Sequence, residues 1–284
     1  MDEHKIISIL TADIKNKKEL LGLDESIVKS QLKEYFEKSK KSLSKLAQYQ
    51  VEKQLKKSSE YEKVLKAIRA KLYESYGMFQ IPKNSESIKQ EFLRKVNARQ
   101  VNEDDFRNVL ALHLSTKERF EHYSFIYDKI LQTTGKPKTI LDLGCGLNPL
   151  SAHYMGLKKF RYIASDIDKS NLQLIEQFFK LSGIDGKTVL LDLANEADIQ
   201  KLAFIESDVC FMFKLLEIDK RIAEEIITSV NAKYIVASFS TVNLQGRIMA
   251  SPEREWFEKL LHRLKYKFTT FKTENEIFYM IRKS

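Results

Sequence analysis

Apolar residues recur at helical spacing through the first third of this chain and in short strand-like runs through the rest. Ile27, Val28, Leu32, Tyr35 and Phe36 fall on one helical face. Tyr61, Val64, Leu65, Ile68 and Leu72 fall on another, closed by Gly77 and Pro82, and Ile88, Phe92 and Val96 make a third. With only Gly22, Gly77 and Pro82 as breakers over this stretch, the pattern predicts an all-helical domain over residues 1–105. From Thr139 the period changes. Short apolar runs at 139–143, 161–165, 188–192, 208–213 and 233–239 read as strands, with helices at 169–181, 217–230 and 252–264 between them. Such alternation predicts a parallel sheet covered by helices on both faces, in a second domain over 106–284. Tyr266–Phe271 and Ile277–Ile281, joined by Thr273-Glu274-Asn275, predict a closing antiparallel hairpin.

The first strand runs into a glycine turn, Asp142-Leu143-Gly144-Cys145-Gly146-Leu147-Asn148-Pro149. Asp166 ends the next strand about twenty residues later, placed to accept hydrogen bonds from ribose hydroxyls. This is how a nucleotide-type cofactor is held at the carboxyl end of a parallel sheet. Gly144 and Gly146 let the backbone approach a ligand closely. The dinucleotide fingerprint needs a third glycine at 149. Pro149 stands there instead, which suits the first turn of a helix but not a pyrophosphate contact. S-adenosyl-L-methionine has no pyrophosphate, so the turn points to that cofactor rather than to a nicotinamide or flavin. A plain tight turn is the competing reading of the two glycines; Asp142 and Asp166 on either side rank it second. Five parallel strands and an antiparallel hairpin make the Rossmann-like α/β layout of class I methyltransferases, which agrees with the turn.

Charge adds a partner to the picture. The 284 residues carry 48 Lys and Arg against 39 Asp and Glu, a formal net charge of +9, which favours a polyanion. Nine lysines lie between Lys29 and Lys57 against three glutamates. Lys40, Lys41 and Lys45, at the centre of this run, are the expected phosphate contacts, with a solvated helix face as the alternative. Lys259, Arg263, Lys265, Lys267 and Lys272 offer a second basic surface. Two isolated cysteines, Cys145 and Cys210, and five scattered histidines make no disulfide framework or zinc site. No metal is therefore expected. No apolar run reaches the ~20 residues of a membrane span, and Met1-Asp2-Glu3-His4-Lys5 does not open a secretory signal. The expectation is a cytoplasmic protein without a membrane partner.

Three stretches together resemble the aminoglycoside-resistance 16S ribosomal RNA guanine-N7 methyltransferases. His113-Leu114-Ser115-Thr116-Lys117-Glu118-Arg119 is similar to the family's His-Ala-Ser-Thr-Arg-Glu-Arg segment. Leu147-Asn148-Pro149 matches its glycine turn, and Phe213-Lys214-Leu215-Leu216 and Ser238-Phe239-Ser240-Thr241 match its segments after the fourth and fifth strands. The likeness covers about 106–284 in detail and 1–105 in architecture only. It implies S-adenosyl-L-methionine as cofactor and ribosomal RNA or the small ribosomal subunit as partner. By the resemblance, Arg119 holds the cofactor's methionine carboxylate, Asp166 its ribose, and Asp192 lies beside its adenine amino group. Asp142, Gly144, Gly146, Asn148, Ile167, Leu193 and Phe213 complete the expected cofactor set. Lys214 is the expected catalytic residue, contacting the target guanine or its phosphate, and Ser238, Thr241 and Arg247 the expected substrate contacts.

The loop after the fifth strand departs from the family. Its proline is Ser240, its first arginine is Val242, and of its basic glycine-rich part only Gly246 and Arg247 remain. Guanine N7 has a lone pair and no proton, so placement in line with the methyl group suffices for transfer. Phe211-Met212-Phe213-Lys214 lacks the Asn/Asp-Pro-Pro-aromatic run of amino-directed enzymes, and Cys210 sits inside a strand, away from any cytosine-C5 nucleophile's loop. A flipped base needs a stacking platform; Trp256 and Phe239 are the candidates, Trp256 also sharing an apolar helical face. The alternatives are a class I methyltransferase acting on another RNA, a protein or a metabolite, and a non-catalytic RNA-binding protein on a methyltransferase scaffold.

Overall fold

The computed structural model describes residues 1–81, 85–217, 220–242 and 253–283. The chain divides into two compact units: Met1–Pro82 with Ile167–Ser170, and Lys83–Asp166 with Asn171–Ser284.

The first unit is helical: α1 (Glu3–Lys15), α2 (Glu25–Lys38), α3 (Lys40–Ala47), α4 (Glu52–Lys56) and α5 (Ser59–Ser75). Asp2, Asp24 and Ser58 cap α1, α2 and α5, each accepting a backbone N–H of the first turn. The predicted stripes are its core. Val28, Leu32 and Phe36 of α2 meet Tyr61, Val64, Leu65, Ile68 and Leu72 of α5 and Ile6, Leu10 and Ile14 of α1. Ile167 is half-buried against this cluster.

The second unit begins with α6 (Ser85–Asn97), α7 (Glu103–Leu110), α8 (Leu114–Arg119) and α9 (Tyr123–Thr134). A seven-stranded sheet follows: β1 (Thr139–Leu143), β2 (Arg161–Asp166), β3 (Asp185–Leu190), β4 (Ser207–Phe213), β5 (Ala232–Ser240), β6 (Lys267–Lys272) and β7 (Glu276–Arg282). The intervening helices are α10 (Lys169–Ser182), α11 (Glu196–Lys201), α12 (Ala223–Ser229) and α13 (Glu255–Arg263). Strand order is β3-β2-β1-β4-β5-β7-β6, parallel through β5 and antiparallel at β7 and β6. This is the expected sheet of five parallel strands with its closing antiparallel hairpin.

Side chains alternate between two cores, as a sheet covered on both faces requires. Val209, Phe211, Phe213, Val236 and Phe278 join one cluster; Cys210, Met212, Ile235, Ala237, Ile277 and Tyr279 join the other. Two boundaries differ from expectation. The compact units divide near residue 82, not 105, because Phe92 of α6 and Phe106 of α7 pack on Phe178 in the sheet unit's core. β3 spans 185–190 rather than 188–192, since Gly186 pairs with Tyr162 where a Cβ would collide with the Phe179 ring. No described helix is long and apolar enough to cross a membrane.

Candidate functional site

The carboxyl ends of β1, β2, β4 and β5 lie side by side, and the antiparallel β7 begins at that same end, with Glu276 opposite Ser240. At the end of β1, Gly144 and Gly146 both take the left-handed conformation, with φ of 59° and 52°. A Cβ on Gly144 would stand 2.7 Å from Leu215, and one on Gly146 2.8 Å from the His113 ring. The turn is tied to β2: Cys145 N–H donates to the Ser165 carbonyl (3.0 Å) and Gly146 N–H to Asp166 Oδ2 (2.7 Å). Pro149 sits in the first turn of a helix, as expected, but the helix Asn148–Met155 is 3-10.

Asp142 lies under this turn and is 1% exposed. Its Oδ2 accepts from Asn148 Nδ2 (2.9 Å) and from the Tyr162 hydroxyl (2.7 Å), while its Oδ1 has no partner among the described residues. Burial pushes its carboxyl up to about 6, against those two hydrogen bonds and the charge of Arg119. Asn148 Oδ1 is a second buried acceptor without a partner among the described residues. His113 is held neutral: burial first, then the charges of Arg119 and Lys214, depress its imidazole to about 3.

Arg119, at the end of α8, is 2% exposed. It is therefore no helix-surface arginine. Its Nε donates to both Glu276 oxygens (3.0 and 2.9 Å), and its guanidinium carbon lies 4.9 Å from the centre of the Phe213 ring. Burial works against the charged form, but the Glu276 carboxylate outweighs it and holds Arg119 above the ordinary arginine range. Among the described residues, Nη2 has no acceptor within hydrogen-bond distance.

Lys214 follows β4 in a left-handed conformation, φ 56°, uncommon for a side chain with a Cβ. Its N–H donates to Ser238 Oγ (3.0 Å) and O (3.1 Å), and its Nζ donates to Glu118 Oε2 (2.5 Å). It is 6% exposed, which excludes a snorkelling surface lysine. Glu118 and Glu276 are functional candidates that reading the sequence missed. Glu118 lies inside the motif that drew attention to Arg119, so the signal was there; Glu276 looks like one more polar residue beside a hairpin turn.

The remaining expected residues fall into three groups. Asp166, buried at the end of β2, stays beside the turn. Asp192 is half-buried beyond β3 and its Oδ1 accepts from Ala194 N–H (2.9 Å); Leu193 is buried in one sheet core. Ile167 falls in the helical unit. Ser238 is 0% exposed and donates to Glu276, and Thr241, also buried, donates to the Glu274 carbonyl (3.1 Å). Phe239 is likewise fully buried and cannot be a stacking platform, while Trp256 is half-buried, edge-on to it. Arg247 lies outside the described residues. Lys40, Lys41 and Lys45 are exposed on α3, Lys45 paired with Glu60 (3.0 Å). Of the second basic surface, Lys259, Arg263 and Lys272 pair with Glu255, Glu224 and Glu253.

Known proteins are similar to this chain in sequence and fold. A family model described as ribosomal RNA methyltransferase (FmrO) matches residues 44–280, reaching further into the helical unit than the motifs do. A 16S rRNA (guanine(1405)-N(7))-methyltransferase of Micromonospora echinospora is 30% identical, over 77% of this chain and 82% of its own length. A protein of the same name from Proteus mirabilis is 30% identical over 66% of this chain and 72% of its own. The solved 16S rRNA methyltransferase RmtF, in complex with S-adenosyl-L-homocysteine, aligns over the whole of both chains with a TM-score of 0.74 at 20% identity. The 16S rRNA methylase ArmA aligns with a TM-score of 0.54 at 25% identity, over 69% of this chain and 98% of its own. The solved structures share the fold; the family match runs through the helical unit, the glycine turn, Arg119, Lys214 and Glu276 alike, and on it the chain belongs to the ribosomal RNA methyltransferase (FmrO) family.

Proposed function

We propose that this protein transfers a methyl group from S-adenosyl-L-methionine to N7 of a guanine in 16S ribosomal RNA. The observation that carries the reading is that relatives matched over most of their own length bear the name of that activity. The chain's own residues fit the cofactor. Two glycines in left-handed conformation open the turn, and beside it stand two buried groups without partners among the described residues, Arg119 Nη2 and Asp142 Oδ1. A methionine carboxylate and ammonium satisfy that pair.

When bound, the cofactor supplies a methyl group made electrophilic by its sulfonium. Arg119 presents Nη2 to the carboxylate, Asp142 accepts from the ammonium, and Asp166 accepts from the ribose hydroxyls. Asp192 and Leu193 flank the adenine. Because guanine N7 has no proton to lose, the protein's task is placement and exclusion of water rather than base catalysis. Lys214, the catalytic residue, directs an N–H donor toward O6 of the guanine and leaves the N7 lone pair free to attack the methyl group. Lys40 and Lys41 of the helical unit hold RNA phosphates, and Lys45 contributes less because Glu60 already neutralises it.

The test is transfer of label from the cofactor to small ribosomal subunits, with naked ribosomal RNA, transfer RNA and total protein in parallel. Label in 16S RNA is expected. Label confined to transfer RNA or protein would contradict the reading.

A further inference from the structure

We infer that Glu276 is a positioning residue for the reaction: it fixes the Arg119 guanidinium so that one edge stays open for the cofactor's carboxylate. The inference rests on the cofactor reading above. Topology puts Glu276 where it is needed. Because β7 is antiparallel, its first residue stands at the end of the sheet where the parallel strands finish, though Glu276 is 157 positions from Arg119. Glu276 is 0% exposed, and a buried carboxylate persists only with partners.

Its partners lie on both sides of the site. On one side both oxygens accept from Arg119 Nε, at 3.0 and 2.9 Å. On the other, Ser238 Oγ donates to Oε1, the same Oγ accepts from Lys214 N–H, and Lys214 Nζ lies 4.0 Å from Oε2. One guanidinium edge is therefore spent on Glu276, and the Phe213 face sets the plane. Nη2 makes no hydrogen bond to Glu276 and, among the described residues, has no partner within hydrogen-bond distance, with the Tyr123 hydroxyl beside the guanidinium. A bare arginine in this position would have the same charge but no fixed direction, and a bidentate contact depends on direction.

Calorimetric titration with S-adenosyl-L-homocysteine and with 5′-methylthioadenosine separates this role from a merely structural one, since only the former carries the amino-acid carboxylate. Glu276→Gln should weaken S-adenosyl-L-homocysteine by about tenfold or more and leave 5′-methylthioadenosine within about threefold. Equal losses for both ligands, or none for either, would overturn the inference. In an Arg119→Met background, Glu276→Gln should change S-adenosyl-L-homocysteine affinity by less than about threefold, because the residue it acts through is gone. A further tenfold loss there would overturn it too. Glu276→Asp keeps the buried charge but shortens its reach, so it serves if Glu276→Gln fails to fold, and it should show the same split between the two ligands; equal losses for both would overturn the inference. Failure of the wild-type protein to bind S-adenosyl-L-homocysteine would instead remove the cofactor reading, and this inference with it.

Discussion

Asp142 is buried beneath the glycine turn with one oxygen unpartnered and its carboxyl pushed up to about 6 from an ordinary 3.8. The replacement Asp142→Asn keeps the shape and both accepted hydrogen bonds, from Asn148 and Tyr162, and removes the charge. A carboxyl whose folded value is raised binds its proton more tightly in the folded state. Its contribution to stability is full below about pH 4 and is lost as pH rises through about 6. The rise of roughly two units corresponds to about 3 kcal/mol at ~1.36 kcal/mol per unit. Above pH 7 the wild-type protein carries that cost and the variant does not. For a unit of this size 1 kcal/mol is about 2–4 °C, so Asp142→Asn should melt up to about 6–12 °C higher at pH 8 and equal to wild type near pH 4. The same variant offers an ammonium no charge, so S-adenosyl-L-homocysteine should bind about tenfold or more weakly at pH 8. Thermal unfolding at both pH values, with calorimetric titration at pH 8, checks both halves. A variant less stable than wild type at pH 8, or one with the same melting shift at both pH values, would refute the electrostatic reasoning. A variant more stable with undiminished affinity would refute the cofactor role.

Gly146→Ala forces a Cβ into a left-handed residue against the buried His113 ring; it should cost about 1–3 kcal/mol in thermal unfolding and abolish S-adenosyl-L-homocysteine binding. Lys214→Met should lower kcat by about 100-fold with cofactor affinity within threefold, in single-turnover methylation of small subunits; a loss confined to cofactor binding would contradict its assignment to the guanine. Lys40→Ala/Lys41→Ala should weaken RNA binding and reduce the slope of log K against log salt by about 2, whereas Lys45→Ala should change the slope by less than about 1 because Glu60 already pairs with it.

The cofactor half of the site was legible because its signals are local. Gly144, Gly146 and Asp142 lie within five residues, and Asp166 ends the next strand, so spacing alone brings them together. The hairpin and parallel strands were legible for the same reason: each is a short periodic run between breakers. What escaped is what depends on distant packing. The periodicity of α6 and α7 is no different from that of the helices before them, and only Phe92 and Phe106 against Phe178 assign them to the sheet unit. Asp185-Gly186-Lys187 lies outside the strand expected at 188–192, and its place in β3 goes with Phe179, which leaves no room for a side chain at Gly186. Ser238 and Thr241 match a substrate-facing loop in sequence, yet the strand end and the β7 turn bury them. Glu276 is an exposed-looking acid in a polar turn, and its meaning appears only when Arg119 and Ser238 close on it.

The central claim is tested most directly by the position of the methyl group. Small ribosomal subunits treated with the protein and S-adenosyl-L-methionine should yield 16S RNA that breaks at a single guanine after reduction and aniline treatment, the signature of N7 methylation. Incorporated methyl without any such break, or a break only in other RNA, would contradict the account.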